Sequence, residues 1–295
     1  MAALASYFGF SEVVEDILYQ EKPQVEVNSK DQADQTPLHL AALRGHEGVA
    51  KLMLAVKQIE VNSKDERDWT PLHLAALRKH EGMAKLLLAA EQIEVNSKDK
   101  YNQTPLHFAA EDGHEGVAKL LLAAEQIEVN SKDKYNQTPL DFAAKRGHEG
   151  VAKLLLAVEQ IEVNSKDKTD RTPLHLAAWY GHEGIAKLLL AAEQIEVNSK
   201  DEDDQTPLHW AAQRGHEGVA KLLLAAEQVE VNSKDKDDQT PLHLASWYGY
   251  EGVAKLLLAT KQIEVNLKNK NDKTPLDLAY RFKHEGIAKL LLMAE

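Results

Sequence analysis

The chain has 295 residues, 43% of them apolar, no cysteine and a formal net charge of −12. That charge argues against duplex nucleic acid, whose phosphates require a basic stripe, and equally against an anionic membrane surface. Without cysteine there are no disulfides and no thiolate metal sites, so a reducing cytoplasm, or the nucleus, is the expected compartment.

The chain opens with MAALASYFGFSEVVEDIL, which lacks a basic n-region and sets Glu12, Glu15 and Asp16 where a signal peptide would be apolar. No apolar run approaches the ~18 residues that span a bilayer. From there the chain repeats itself. Thr-Pro-Leu recurs at Thr36, Thr70, Thr104, Thr138, Thr172, Thr206, Thr240 and Thr274, always 34 residues apart. The stretch His80–Leu106 returns as His114–Leu140 with one difference, Met83 against Val117. A fixed period of this size means a solenoid, in which each unit buries its apolar face only against its neighbours. The period overrides the prior of about two globular domains that length alone suggests. The expected organisation is one array: a half unit or cap at 1–28, then eight full units at about 29–62, 63–96, 97–130, 131–164, 165–198, 199–232, 233–266 and 267–295.

Residues 65–98 serve as a sample unit. Asp65 to Trp69 reads as a turn, and Thr70-Pro71 starts a helix: Thr is a good N-cap, and Pro at the first helical position lacks only an N–H that had no partner there. Leu72, Leu74, Ala75 and Ala76 supply a short helix whose small residues let a neighbour approach. In most units this helix ends at a Gly such as Gly45, Gly113 or Gly181, suited to the left-handed conformation; Lys79 and Lys283 stand there in two units and should each cost up to about 1 kcal/mol. A second helix is expected from about Glu81 to Ala89, with Met83, Leu86, Leu87 and Ala90 on one face and Glu81 paired with Lys85. The alternation at Ile93 and Val95 predicts an extended arm with both side chains tucked inward.

The ends differ from the middle. Leu4 to Asn28 reads as a unit begun halfway, with Gly9 matching Gly45, Val13 matching Val49 and a longer closing loop containing Pro23. Tyr7, Phe8 and Phe10 have no counterparts in the inner units, which fits a terminal cap or a junction. At the other end Leu267, Tyr280 and Phe282 are apolar or aromatic replacements, and no dedicated polar cap is visible.

Thr104-Pro105-Leu106-His107, Ala109-Ala110, Gly113-His114, Leu120-Leu121-Leu122 and Val129-Asn130 together resemble the ankyrin repeat, and the match runs through every unit. The resemblance implies an all-α solenoid of stacked helix-turn-helix units, with β-turn fingers to one side and a curved, concave face used for protein recognition. Two departures stand out. The period is 34 rather than the usual 33, and the finger turn has Asp34, Asp68, Asn102, Asn136, Asp170, Asp204, Asp238 and Asp272 where Gly is usual. Asp and Asn tolerate positive φ best among non-glycine residues, so the turn should survive. Arrays of this kind often form the sensor part of larger signalling proteins, NACHT-type ATPases among them. The near-identity of adjacent units also fits a consensus-like scaffold.

Histidines and acids are abundant, but they repeat. His39, His73, His107, His175, His209 and His243 share one register; His46, His80, His114, His148, His182, His216 and His284 share another. One His per unit forms a column spaced at about 10 Å, whereas zinc needs three or four ligands converging at about 2 Å. The resemblance makes the first column structural, tying the turn to the helix and to neighbouring backbone; Asp141 and Asp277 can take that place near a helix N-terminus. Asn102-Gln103-Thr104 and Asn136-Gln137-Thr138 are sequons only because a turn Asn meets a capping Thr. No phosphate loop, nucleophile elbow or carboxylate pair stands outside the repeat, so neither a catalytic centre, a metal nor a cofactor is expected.

What singles out positions is disagreement between units. It gathers in the turn and at the pair of residues ending the first helix: Arg67, Trp69, Leu77, Arg78, Tyr101, Glu111, Asp112, Tyr135, Lys145, Arg146, Arg171, Trp179, Tyr180, Asp203, Gln213, Arg214, Asp237, Trp247 and Tyr248. Surface drift gives Lys, Glu, Ser and Ala; Trp, Tyr and Arg dominate binding hot spots. These nineteen positions are the candidate partner-binding residues, and the resemblance places them on finger tips and groove. Phe108, Phe142 and Trp210 share the register of Leu40 and read as core. The expected function is that of a monomeric protein-binding module without enzymatic activity. The alternatives are a fragment of a larger receptor whose activity lies in other domains, a spacer array, and a small-ligand enzyme.

Overall fold

Each repeat begins with a turn that one carboxylate shapes. Asp65 Oδ1 accepts hydrogen bonds from the backbone N–H of Arg67 (2.8 Å) and of Trp69 (2.9 Å), while its own N–H donates to the Trp69 carbonyl at 3.0 Å. The tip residue is then forced into the left-handed region. All eight Asp and Asn residues at this place have φ between 57° and 62°, so the turn survives without Gly as expected. Neighbouring fingers join through the backbone: Glu66 N–H donates to the Ala33 carbonyl (3.1 Å), and Lys236 N–H to the Asp203 carbonyl (2.9 Å).

The first helix, Pro71–Leu77 in the sample repeat, starts from an extended Thr70. The Thr70 N–H donates to His73 Nδ1 at 3.1 Å, which leaves the imidazole proton on Nε2; that proton is donated to the Gln103 carbonyl of the next repeat at 3.1 Å. His73 thus closes a capping box and ties two repeats together, the structural role the resemblance implied. Burial pushes His73, His107, His175 and His209 down to about 4, although the carbonyl each imidazole meets pulls the other way. Asp277 takes over the capping half, accepting from the Thr274 N–H at 2.9 Å. After the helix, Lys79 and Lys283 keep the left-handed shape of the glycines they replace, with φ of 59° and 62°.

The second helix runs Glu81–Leu88, one residue short of the expected end. Its buried face is Met83, Ala84 and Leu87, whereas Leu86 and Ala90 are only half-buried. The helix packs both on the first helix of its own repeat and on the second helices beside it, so the covered stripe shifts toward small Ala84, where a neighbour comes closest. The expected i,i+4 pair forms at the equivalent Glu251–Lys255 (2.7 Å), but not at Glu81–Lys85. The Glu81 carboxylate lies over Gly116 of the next repeat, in space a Cβ would fill, and Glu47 lies likewise over Gly82. The predicted extended arm is a turn: Ile93 N–H donates to the Ala90 carbonyl and Ser97 N–H to the Glu94 carbonyl, each at 3.2 Å. Val95 is buried as expected, but Ile93 is half-exposed because the turn swings it outward.

The structure, a computed structural model, describes residues 2–13, 15 and 27–294, and no strand occurs among them. The chain falls into two compact segments, Met1–Pro139 and Leu140–Glu295. In the first, Ala2–Phe8 packs on Pro37–Arg44, and the pairs that follow are Pro37–Arg44 with Glu47–Leu54, Pro71–Leu77 with Glu81–Leu88, and Pro105–Glu111 with Glu115–Leu122. The second holds Pro173–Tyr180, Pro207–Arg214, Pro241–Tyr248 and Pro275–Arg281 in one row, with Glu149–Leu156, Glu183–Leu190, Glu217–Leu224, Glu251–Leu258 and Glu285–Ala294 in the other. Pro139–Arg146 begins at the last residue of the first segment.

In both segments an Asn of one repeat bridges to the next. Asn62 Nδ2 donates to the Gln92 carbonyl (2.6 Å) and its Oδ1 accepts from Glu94 N–H (3.0 Å); Asn164 does the same with Gln194 and Glu196. The core between is aliphatic, with Leu72, Leu87, Leu106 and Leu121 fully buried in the first segment and Leu174, Ile185, Leu208 and Leu223 at most 2% exposed in the second. Each such side chain contributes about 1.5–3 kcal/mol of burial.

At the amino end Gly9 matches Gly45 in conformation, φ 77° against 74°, but Val13 is 42% exposed where Val49 is buried. The register nevertheless holds, since His46 lies over Gly9 as His80 does over Gly45, and Ser11 over Gly48 as Glu47 does over Gly82. Phe8 and Phe10 are exposed and stacked at 5.9 Å, while Tyr7 lies under the Arg44 guanidinium at 4.1 Å. The loop with Pro23 lies outside the described residues. At the other end Tyr280, Leu292 and Met293 are exposed.

Candidate partner-binding site

The nineteen candidates sit where the sequence places them in the repeat, on fingers and at the ends of first helices, but the structure groups them unevenly. In the first segment Trp69 is half-buried and pinned: its Nε1–H donates to Asp99 Oδ2 (3.1 Å), its ring meets Phe108 edge-on (5.2 Å), and the Arg67 guanidinium covers it at 4.7 Å. Tyr101 and Tyr135 are exposed on fingers, with Lys134 Nζ over the Tyr101 ring at 3.7 Å and over Tyr135 at 4.9 Å. Arg78 and Asp112 are exposed; Leu77 and Glu111 are half-buried, and the Leu77 carbonyl accepts from His114 Nε2 at 3.1 Å. The second histidine column is therefore structural too. Each of these histidines that bonds a carbonyl docks its second helix onto the end of the first helix of the repeat before it; in the seventh repeat Tyr250 stands in that place.

In the second segment Lys145 is half-buried, its carbonyl accepting from His182 Nε2 (3.2 Å), and Arg146 is exposed. The remaining candidates here, Arg214 apart, line two grooves between successive repeats. The larger, about 470 Å³, is lined by Arg171, Trp179, Tyr180, Asp203 and Gln213 together with Asp201 and Trp210. Trp210 is 8% exposed, so the core reading holds, yet it also forms part of the groove wall: Trp179 packs on it at 4.7 Å, and its Nε1–H donates to Asp201 Oδ2 at 2.9 Å. The Arg214 guanidinium covers Trp179 at 4.2 Å. Arg171 pairs with Asp167 at 2.6 Å, and although burial pushes that carboxyl up, the hydrogen bonds from Arg171 and from the turn N–H groups hold it below the ordinary value.

The smaller groove, about 240 Å³, lies one repeat on and is lined by Asp203, Asp235, Asp237, Gln239, Trp247 and Tyr248, among others. Gln213 donates to the Tyr248 hydroxyl at 3.3 Å, and Trp247 stacks on Phe282 at 5.1 Å with 23° between the planes. Trp247 and Tyr248 are 38% and 45% exposed, a large apolar area to leave in water. Burial raises the carboxyls of Asp201 and Asp235 above the usual range and outweighs the turn hydrogen bonds that they accept.

Asp201, Asp235, Trp210 and Phe282 were not among the candidates. Asp201 and Asp235 vary too little between repeats to stand out, since the same Asp, replaced only by Asn269 in the last repeat, shapes each turn. Trp210 did carry a signal, as the largest residue in its register. Among the described residues no group of acids and histidines is placed to hold a metal ion, and no helix is long and apolar enough to cross a membrane. The arrangement offers flat rings, fixed cations and finger carboxylates on one surface, which suits recognition of another chain.

No curated protein sequence matches this one. The profile of the family described as Ankyrin repeats (3 copies) matches residues 2–99, 92–167, 157–235, 193–269 and 227–295. Ankyrin repeats are in general protein–protein interaction modules, and the fold is typically a binding scaffold without enzymatic activity. With both segments built of this repeat throughout, the chain belongs to the ankyrin-repeat family.

Proposed function

We propose that this chain works as a single recognition array, which holds a protein partner chiefly through repeats five to seven and catalyses no reaction. The observation that carries the reading is the pair of consecutive grooves lined by Trp179, Tyr180, Trp247 and Tyr248 together with the finger carboxylates Asp203 and Asp237. Aromatic anchors that desolvate on binding contribute about 2 kcal/mol or more each. The grooves are preformed by backbone turns and histidine docking, so little entropy is lost when the partner seats. The acidic fingers favour a basic edge on the partner and raise its association rate. The array acts as a monomer in the cytoplasm or nucleus, without a cofactor and without nucleic acid as ligand.

A peptide library displayed on phage and selected on the chain tests this. Selected peptides should lose binding by about two orders of magnitude when Trp179, Tyr180, Trp247 and Tyr248 are changed to Ala. Changing the exposed Glu183 and Lys187 of a second helix should leave binding unaltered. Should the second-helix variant abolish binding while the aromatic variant retains it, the groove reading is wrong.

A further inference from the structure

The chain's own repeats supply a comparison. Several aromatic rings on the fingers and helix ends carry a cation of the same chain on their faces: Arg44 on Tyr7, Arg67 on Trp69, Lys134 on Tyr101 and Tyr135, and Arg214 on Trp179; Tyr180 stacks on His182 instead. The pairing of Arg214 with Trp179 is between repeats, since Arg214 ends the first helix of the repeat after Trp179. Two repeats further along, the corresponding partner of Trp247 is Phe282. An arginine is replaced by a phenyl ring. Among the described residues no cation lies over Trp247 or Tyr248.

The surroundings of those two rings are rich in acceptors. Asp203 and Asp237 are exposed on the finger tips, and neither carboxylate is in an ion pair among the described residues. With Asp235 they set three carboxylates against one cation, Lys236, in the groove lining. The Gln239 side-chain oxygen, in the same lining, is buried without a hydrogen-bond donor. The Tyr248 hydroxyl already accepts from Gln213, which fixes its ring in place.

We propose that the groove between repeats six and seven is a subsite for an arginine side chain presented by the protein partner, an assignment that rests on the partner-binding reading of these grooves. A guanidinium stacks on aromatic rings and presents five donors in a plane, which suits flat rings bordered by several oxygens; an ammonium is a compact, strongly hydrated point charge. The arginine supplies from outside what Arg214 supplies to Trp179 from within.

The probes are hexa-arginine and hexa-lysine peptides of equal charge, titrated at about 150 mM salt so that general attraction to an acidic protein is screened. Binding is read from the indole N–H resonances, with Trp247 identified by Trp247→Phe. Hexa-arginine should move the Trp247 signal and bind about tenfold tighter than hexa-lysine; the double variant Asp203→Asn, Asp237→Asn should lose that preference without a change in melting temperature. Equal affinity for the two peptides, or a shift at Trp179 with none at Trp247, overturns the subsite. Phage-selected peptides that seat on Trp247 and Tyr248 but contain no arginine also overturn it, and in that case the partner-binding reading stands. A library that yields no groove-dependent binder overturns both.

Discussion

The buried imidazoles make the array sensitive to acid in a calculable way. His73 and His107 in the first segment, and His175 and His209 in the second, are held down to about 4, against an unfolded value of 6.5. Because the folded value is the lower one, the unfolded chain takes up protons first as the pH drops. Each histidine thus contributes stability that is full above pH 6.5 and lost progressively down to about pH 4. Between about pH 7.5 and about pH 5 the loss is about 2 kcal/mol per imidazole, and about 8 kcal/mol for the four. That is comparable with the whole stability of a typical domain, about 5–15 kcal/mol. Asp201 and Asp235, raised by burial, act in the opposite sense. For a chain of this size the melting temperature should fall by about 15 °C, followed by circular dichroism. Proton NMR supplies the decisive check, since the imidazole C–H signals of these four residues should stay at their neutral positions until unfolding begins. If they titrate near pH 6.5 while the protein remains folded, or if the melting temperature is the same at both pH values, the account of a buried neutral column is wrong.

Lys79→Gly and Lys283→Gly should each stabilise the chain by up to about 1 kcal/mol in denaturant titrations, because φ of 59° and 62° strains any side chain there; unchanged midpoints would show the strain is relieved elsewhere. Asn164→Ala removes the bonds to the Gln194 carbonyl and the Glu196 N–H and should cost about 1–2 kcal/mol, read from the same titration, whereas a neutral effect would mean that water replaces both. Gly82→Ala should perturb its neighbour rather than its own helix, since the added Cβ meets the Glu47 carboxylate; a shifted Glu47 side-chain resonance with unaltered helicity is the expected signature. Amides of residues 269–294 should exchange faster than those of 173–198, because Tyr280, Leu292 and Met293 are left in water at that end, and equal protection would count against end-first opening.

The sequence by itself determined the repeat and its helices. Thr-Pro starts, glycine or lysine stops and Asp or Asn tips are local signals, satisfied by hydrogen bonds within a few residues of the same chain. Those signals survive because each repeat is read many times over. Where contacts cross from one repeat to the next, the local reading weakened. Glu81 is read as pairing within its helix, but its carboxylate lies over the glycine of the following repeat, a contact that spacing along one helix does not show; the equivalent Glu251 makes both contacts, over Gly286 and to Lys255. Ile93 and Leu86 read as core from their spacing, yet how far each is covered depends on where the neighbouring repeat lies. The site shows the same division. Which positions vary was visible in the chain, but not that Arg214 would cover Trp179 while Phe282 covers Trp247, since those partners are 35 residues apart and meet only through stacking. Tertiary structure alone decided which aromatic rings are already satisfied by the chain and which face water beside free carboxylates.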